Sequence, residues 1–424
     1  MYSALWSDTV EKRIRAEACN LDPPLAPTEV KQCTKCIVSN QRPRITFNEQ
    51  GVCSACQYAE DQRTTVDWRA RENELNTLLD KHRKPSGYDV IVPSSGGKDS
   101  AMVAHRLKHE YGMHPLCITW APFIYTEVGR RNFDAFVQSG FDCITMFPNG
   151  LIHRKLARLS LEYIGDPFQA FVYGQLCWPM NAASHFNVPL VMAGENGEAS
   201  YGGDTSANER PCWGNEDWDR VYAKGANIWS LIQIGLDVGA LSNGEMREAS
   251  PFYSLPGNQT EAFRSVYGRG LDCEPEFHWF GYYRQWHPME NFYYVSEKTG
   301  FEPNEERSVG TYTKFASIDD KMDNIHKYFS FVKFGIGRCN ADASQQVRAG
   351  DIDRDEALAL VARYDGEFPE RHLDECLEYL GMDREQFDRV VERFSMKKKP
   401  KTSEEIIDAA AIKYSRCLQN LAAR

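Results

Sequence analysis

The chain has 424 residues, 42% of them hydrophobic, and a formal net charge of −11. That length supplies a large core and about three domains, while the acidic balance argues against broad affinity for a nucleic-acid backbone, which needs an excess of Lys and Arg on some face. No uninterrupted apolar stretch is long enough to span a bilayer, and Asp8, Glu11, Lys12 and Arg13 stand where a signal peptide would be apolar, so no membrane role is expected and the cytoplasm is the expected compartment.

Residues 1–30 read as an extension, weakly helical at first and ended by Asp22-Pro23-Pro24-Leu25-Ala26-Pro27. A small module follows at 31–62. Of thirteen cysteines, four are clustered here: Cys33-x-x-Cys36 and Cys53-x-x-Cys56, sixteen residues apart. Two such knuckles can bring four thiolates to one tetrahedral centre, the arrangement of a structural Zn²⁺. A closed all-sulfur shell leaves no position for water, which assigns the site to folding rather than catalysis. Free cysteines and an iron–sulfur cluster are the alternatives. The other nine are scattered, and no disulfide framework is expected.

An amphipathic helix over Val66 to Lys81 ends at Pro85-Ser86-Gly87. From Tyr88, strand candidates (Tyr88 to Pro93, Leu116 to Ala121, Phe141 to Phe147, Val188 to Ala193) alternate with helical stretches (Asp99 to Tyr111, Glu127 to Ser139, Leu151 to Leu161, Ala170 to His185). That alternation predicts an α/β domain with a parallel sheet and flanking helices, spanning 63–330. Ligands of such sheets bind at the carboxyl ends of the strands.

At the end of the first strand stands Ser94-Ser95-Gly96-Gly97-Lys98-Asp99-Ser100. A glycine turn leading into a helix aims backbone N–H groups and the positive helix end at one point, which suits a polyphosphate. Lys98 adds a cation, and Asp99 and Ser100 suit a cap and a Mg²⁺ or phosphate contact. The sequence is not a Walker A loop, since Asp99 follows Lys98 where Ser or Thr would stand. It resembles the PP-loop of the ATP pyrophosphatases, which implies binding of ATP and cleavage at the α-phosphate to give AMP.

Two further segments converge on the same sheet edge. Thr119 and Trp120 end the second strand, near the expected nucleoside position. Gly194, Glu195 and Asn196 end the fourth and lead to Glu198 and Tyr201, suited to ribose, metal or sugar hydroxyls, with a plain polar turn as the alternative. Within a 200–275 insertion poor in regular periodicity, Trp213 and Trp218 suit either a sugar cover or buried anchors. Glu276 to Tyr283 reads as a fifth strand. Gly310-Thr311-Tyr312-Thr313-Lys314 then precedes Asp319-Asp320, read as the start of a helix. Lys314 could meet the outer phosphates and Asp319 with Asp320 could hold Mg²⁺, although two aspartates suit a helix N-terminus in any case. Residues 331–424 read as an all-helical C-terminal region: a turn at Phe334 to Arg338, then helical stretches at Ala343 to Arg348, Arg354 to Tyr364, His372 to Leu380, Arg384 to Ser395 and Ser403 to Leu418. It suits a cover or assembly surface, a homodimer being one arrangement. The basic run Lys397 to Lys401 reads as a solvated linker.

Taken together, the paired knuckles with Phe47-Asn48-Glu49-x-Gly51-Val52 between them, Val92 to Ser100, Gly194-Glu195-Asn196 with Tyr201-Gly202-Gly203, Gly310 to Lys314 with Asp319-Asp320-Lys321, and Lys333 to Arg338 resemble the N-acetyl sugar amidotransferases (WbpG/PseA type) of bacterial surface-polysaccharide synthesis. The resemblance runs from Cys33 to about Pro369. It implies conversion of a sugar N-acetyl group to an acetamidino group with ATP, Mg²⁺ and ammonia, with Lys98, Asp99 and Lys314 catalytic, and with Glu198, Tyr201 and Tyr312 near the acetamido sugar. Position 2 is Tyr2, and no cysteine stands in Gly-x-Cys-x-Gly, so the chain shows no glutaminase nucleophile. Ammonia is therefore expected from a separate glutaminase subunit, in the family similar to that of imidazole glycerol phosphate synthase. A tRNA sulfur-transfer enzyme also combines paired knuckles with a PP-loop and is the main alternative; a non-catalytic nucleotide-binding scaffold is the other.

Overall fold

The computed structural model describes residues 6–18, 26–214, 217, 228–249, 252–253, 255 and 275–396. Its centre is a six-stranded sheet in the order β3-β2-β1-β4-β6-β5, formed by β1 Val90–Pro93, β2 Pro115–Trp120, β3 Asp142–Met146, β4 Leu190–Ala193, β5 Cys212–Trp213 and β6 Glu276–Trp279. All pairings are parallel except β5 with β6. Register between the first two strands runs from Val90↔Pro115 to Pro93↔Ile118, and Ile91 faces Val191 of β4.

Both faces of the sheet are covered, which is why its strands are runs of apolar residues rather than alternating ones. Val90 and Val92 pack with Val103 and Leu107 of the helix Lys98–His109 and with Leu79 of the helix Trp68–His82. Ile91, pointing the other way, packs with Ala182 and Ala183 of the helix Gln169–His185.

The C-terminal helices Asp323–Phe334, Arg338–Ala349, Arg354–Tyr364, Leu373–Leu380 and Arg384–Phe394 include two with good caps: Asp353 with Glu356, and Asp383 with Gln386, form capping boxes. Phe329, Leu380, Phe387 and Phe394 share one core with Leu156 of the crossover helix Gly150–Ile164. The N-terminal helix Asp8–Ala18 joins them. Its Glu11 accepts from the fully buried Arg158, whose other amino group donates to Gly381 O at 2.6 Å.

Three expectations need correction. The fifth strand stops at Trp279 and becomes a helical turn, Phe280–Tyr283, because Gly281 N turns to donate to Gly194 O. Asp319 and Asp320 do not begin a helix, which starts at Asp323; Asp320 instead bridges to Tyr125. The described residues of the 200–275 stretch hold the helices Ile228–Asp237, whose Ile228, Leu231 and Ile232 are buried, and Asn243–Ala249, with the two-residue β5, which is too short to show a period. There Trp213 is buried edge-on against Trp279, ring centroids 5.2 Å apart, as an anchor. Trp218, the run from Lys397 and the stretch from Ser403 lie outside the described residues.

Candidate functional site

Strand order reverses direction between β1 and β4, the place where an open parallel sheet leaves a crevice at its carboxyl edge. Both strands end there, β1 in the glycine loop and β4 in Gly194-Glu195-Asn196. The loop is held from below: Ser94 N donates to Ile118 O at 3.0 Å, and the Thr119 hydroxyl donates to Ser94 O. Gly96 has φ +78°, and a Cβ there would stand 2.7 Å from Phe133 Cα, so only glycine fits. Gly97 caps the helix Lys98–His109 with no side-chain acceptor, which leaves the first-turn amides to whatever anion enters. Lys98 Nζ lies 2.6 Å from both Asp99 oxygens, and Asn291 Nδ2 donates to Asp99 Oδ1 at 3.4 Å. Trp120 is buried beneath the loop, held where Gly174 lets the opposing helix come close; a Cβ at Gly174 would overlap the indole.

The loop opens into a cavity of about 1060 Å³. Ser94 to Ser100, Thr119, Trp120, Glu198, Tyr201, Asp319 and Asp320 all line it. Lys314 and Tyr312 do not. Lys314 is exposed and donates to Glu305 O at 2.8 Å, while the Tyr312 hydroxyl donates to Gln346 Oε1 at 2.7 Å. The two aspartates also part company. Asp320 accepts from Phe123 N at 2.6 Å, Met322 N at 2.9 Å and Ile124 N at 3.3 Å, so its oxygens knit backbone together, and burial raises its carboxyl to about 8. Asp319 instead hydrogen-bonds Ser95 of the glycine loop, and burial together with Asp323 raises its pKa. Of the pair, Asp319 is the one with the position to hold a cation beside the loop.

Glu195 does not line this cavity but a smaller neighbouring pocket, which Asn196 also lines; its Oε1 accepts from Gln345 Nε2 at 2.8 Å, and burial and the nearby Asp99 push its carboxyl up to about 7. Asn196 caps the next turn, accepting from Glu198 N and donating to Ala207 O. Glu198 is gripped by Arg44 and also accepts from Asp204 N at 2.8 Å.

Sequence reasoning missed the cavity's basic wall, formed by Arg42, Arg44, Lys327, Lys333, Arg338 and Arg348. Arg42 lies 5.5 Å from the Tyr201 ring centroid, and its Nε is buried without a hydrogen-bond partner; burial lowers its pKa to about 10. Arg338 pairs with Asp323 at 3.2 Å and Asp342 at 3.4 Å. These residues come from segments far apart in the chain. Only the Lys333 to Arg338 motif signalled any of them.

The sulfurs of Cys33, Cys36, Cys53 and Cys56 lie within 4.8 Å of one another, all buried. Cys33 to Cys56 is 3.8 Å and Cys36 to Cys53 is 3.7 Å. A tetrahedron with zinc–sulfur bonds of about 2.3 Å has an edge of about 3.8 Å, so the donors and spacing fit Zn²⁺. Backbone N–H groups of Lys35, Cys36 and Cys53 point at Cys33 Sγ (3.3 to 3.4 Å), as a thiolate needs. Arg348 then joins the module to the cavity: it reaches Cys36 Sγ at 3.8 Å and Ser200 O at 3.0 Å. Asn340 and Arg354 donate to Ile37 O and Cys36 O. The module thus fixes the loop carrying Arg42 and Arg44 over the carboxyl edge of the sheet.

Among the described residues no helix is long and apolar enough to cross a membrane. No curated protein matches the chain. Residues 309–413 match the family model described as LPS biosynthesis protein WbpG-like, C-terminal domain. That segment includes Asp319, Asp323, Lys327 and Arg338, one wall of the cavity, so this part of the chain is similar to the C-terminal domain of WbpG-like proteins of LPS biosynthesis.

Proposed function

We propose that the chain is the synthetase subunit of an ATP-dependent amidotransferase that converts an N-acetyl group of a sugar into an acetamidino group, releasing AMP and pyrophosphate. The observation that carries this reading is the glycine loop, with its uncapped helix start, opening into the same cavity as the WbpG-like segment. On this reading residues 63–330 form a PP-loop domain, and ATP is its nucleotide.

An amide oxygen is a poor leaving group, so it is first made a good one. The amide oxygen attacks the α-phosphorus and the bond to the β-phosphate breaks, giving an O-adenylyl imidate. Amides of the Gly97–Ser100 turn and Lys98 face the departing pyrophosphate, and Lys98 exchanges Asp99 for phosphate oxygens. Such preorganised charge stabilisation is commonly the largest contribution to catalysis. Asp319 would hold Mg²⁺ beside the loop, where the ion would neutralise phosphate charge as a Lewis acid. Ammonia then adds to the imidate carbon and AMP leaves. Arg42 and Tyr201, on the wall beside Glu198, face the sugar, and substrates filling the cavity would keep water from the adenylate. A glutaminase subunit supplies the ammonia, and the four-cysteine site holds Zn²⁺.

Sulfur transfer is less well supported, because no cysteine among the described residues lines the cavity. The test is mass spectrometry of acetamido nucleotide sugars incubated with protein, MgATP and ammonium chloride. A loss of about one mass unit with AMP formation is expected, abolished by Lys98→Ala. Formation of ADP and orthophosphate would overturn the proposal.

A further inference from the structure

The sheet edge accounts for the proposed ATP contacts, but the cavity also contains a pair, buried Asp166 and half-buried His326, that this chemistry leaves unused. Asp166 follows the helix Gly150–Ile164, and its Oδ1 accepts from Phe168 N at 3.0 Å and from His326 Nδ1 at 2.7 Å. His326 stands on the helix Asp323–Phe334 with its ring stacked on Phe168, centroids 5.0 Å apart and planes 28° off parallel. Asp166, Phe168 and His326 all line the cavity. An ionised carboxylate only accepts, so Nδ1 carries the hydrogen and a neutral ring keeps its lone pair on Nε2. No described residue is hydrogen-bonded to that nitrogen. Carboxylate below, aromatic plane beside and cavity in front fix a base with one orientation.

We infer that His326 is the general base of the amidation half-reaction and that Asp166 is its positioning residue; the assignment rests on the proposed function. The step that needs a base is specific. Ammonia gives its lone pair to the imidate carbon and becomes cationic. One of its protons passes to His326 Nε2, the recovered lone pair forms the C=N bond, and the C–O bond breaks with its electrons leaving on AMP. The acetamidinium keeps the other two hydrogens. Adenylation needs no such transfer, because the amide oxygen attacks as a neutral acceptor and the imidate nitrogen keeps its hydrogen, which the acetamidinium retains. The base must also be unprotonated near neutrality. The charged groups facing His326 are Asp166 and Asp323, which favour imidazolium, and Lys327, which opposes it; burial outweighs the carboxylates and lowers the histidine pKa.

The experiment separates the two half-reactions in the full-length protein with MgATP and an acetamido nucleotide sugar. Exchange of labelled pyrophosphate into ATP without ammonia reports adenylation, and AMP formation with saturating ammonium chloride reports the whole reaction. H326Q is expected to keep sugar-dependent exchange within a few-fold while kcat for AMP formation falls about 10²-fold or more. The acidic limb of the wild-type kcat profile, taken relative to the variant at matched free ammonia, should be missing in H326Q. Asp166→Asn should lower kcat with little change in KM and move that limb to lower pH, since the carboxylate no longer favours the protonated ring. Exchange intact in both proteins, with turnover and acidic limb unchanged in H326Q, would overturn the base assignment alone. Exchange and turnover lost together with thermal stability would mark the pair as structural and overturn it too. Wild-type protein without sugar-dependent exchange would overturn the proposed reaction and this assignment with it.

Discussion

Arg44 and Glu198 meet across 154 positions of sequence in a two-pronged ion pair, Nε to Oε2 at 3.0 Å and Nη2 to Oε1 at 2.6 Å. The pair fastens the loop between the cysteine knuckles to the first turn after β4, and so sets the width of the cavity mouth. Because Glu198 is largely buried, losing Arg44 leaves its carboxylate with the Asp204 N–H and without its ion-pair partner. Arg44→Ala and Glu198→Ala are each expected to lower stability by about 1–3 kcal/mol. The double variant should cost less than the sum, with a coupling of about 1 kcal/mol or more in a denaturant double-mutant cycle. Additive losses would show that the two groups do not act on each other.

Gly96 offers a sharper steric test. Alanine there must take φ near +78° and place its Cβ 2.7 Å from the Phe133 backbone. Gly96→Ala should therefore lower Tm and weaken ATP binding at least tenfold by calorimetry, whereas Gly87→Ala, with open space around it, should cost only the conformational strain of about 1 kcal/mol. Equal effects at both positions would show that the loop does not depend on close approach.

Removal of metal should act on folding and, through Arg348, on the site. One Zn²⁺ per chain is expected by elemental analysis. Chelation under mild denaturation should lower Tm well beyond the effect of any surface substitution, since four buried thiolates lose their cation at once. Cys36→Ser should both reduce zinc content and widen the cavity mouth, seen as faster proteolysis near Arg42. Iron in place of zinc would correct the metal assignment.

Asp319 and Asp320 are neighbours with opposite expected phenotypes. Asp320→Ala strips an acceptor from three backbone N–H groups and should destabilise the fold by about 2–4 kcal/mol. Asp319→Asn should leave Tm close to wild type while raising the Mg²⁺ concentration needed for turnover. A stable Asp320→Ala protein with impaired Mg²⁺ use would reverse the two roles.

Glu195 predicts a pH dependence of stability. Its folded pKa, about 7, lies above the ordinary value of 4.5. Between those values the folded chain binds more protons at this site than the unfolded chain does, so this contribution to stability is complete below about pH 4.5 and is lost as pH rises through 7. Glu195→Gln should remove a decline on the order of 1–3 kcal/mol across that window, measured by urea unfolding at stepped pH. A wild-type profile with the same slope as the variant would show that Glu195 is ionised throughout.

Much of this molecule is written locally. Val90 to Val92, the glycine turn and the helix that follows are adjacent in sequence, and their backbone requirements are met by the residues at those positions, so the loop at the first strand's end could be read directly. The cysteine knuckles are equally legible, because paired spacing restricts where thiolates can point. The sequence also determined the alternation of strands and helices, since burial on two faces forces apolar runs. Only the tertiary structure decided which polar groups share the cavity. Lys314 turns to solvent and Asp320 is spent on backbone, while Arg42, Lys327, Arg338 and the Asp166–His326 pair converge from separate segments. That outcome depends on how Phe329, Phe387 and Phe394 seat the C-terminal helices against Leu156, a packing of apolar surfaces that carries no local signature.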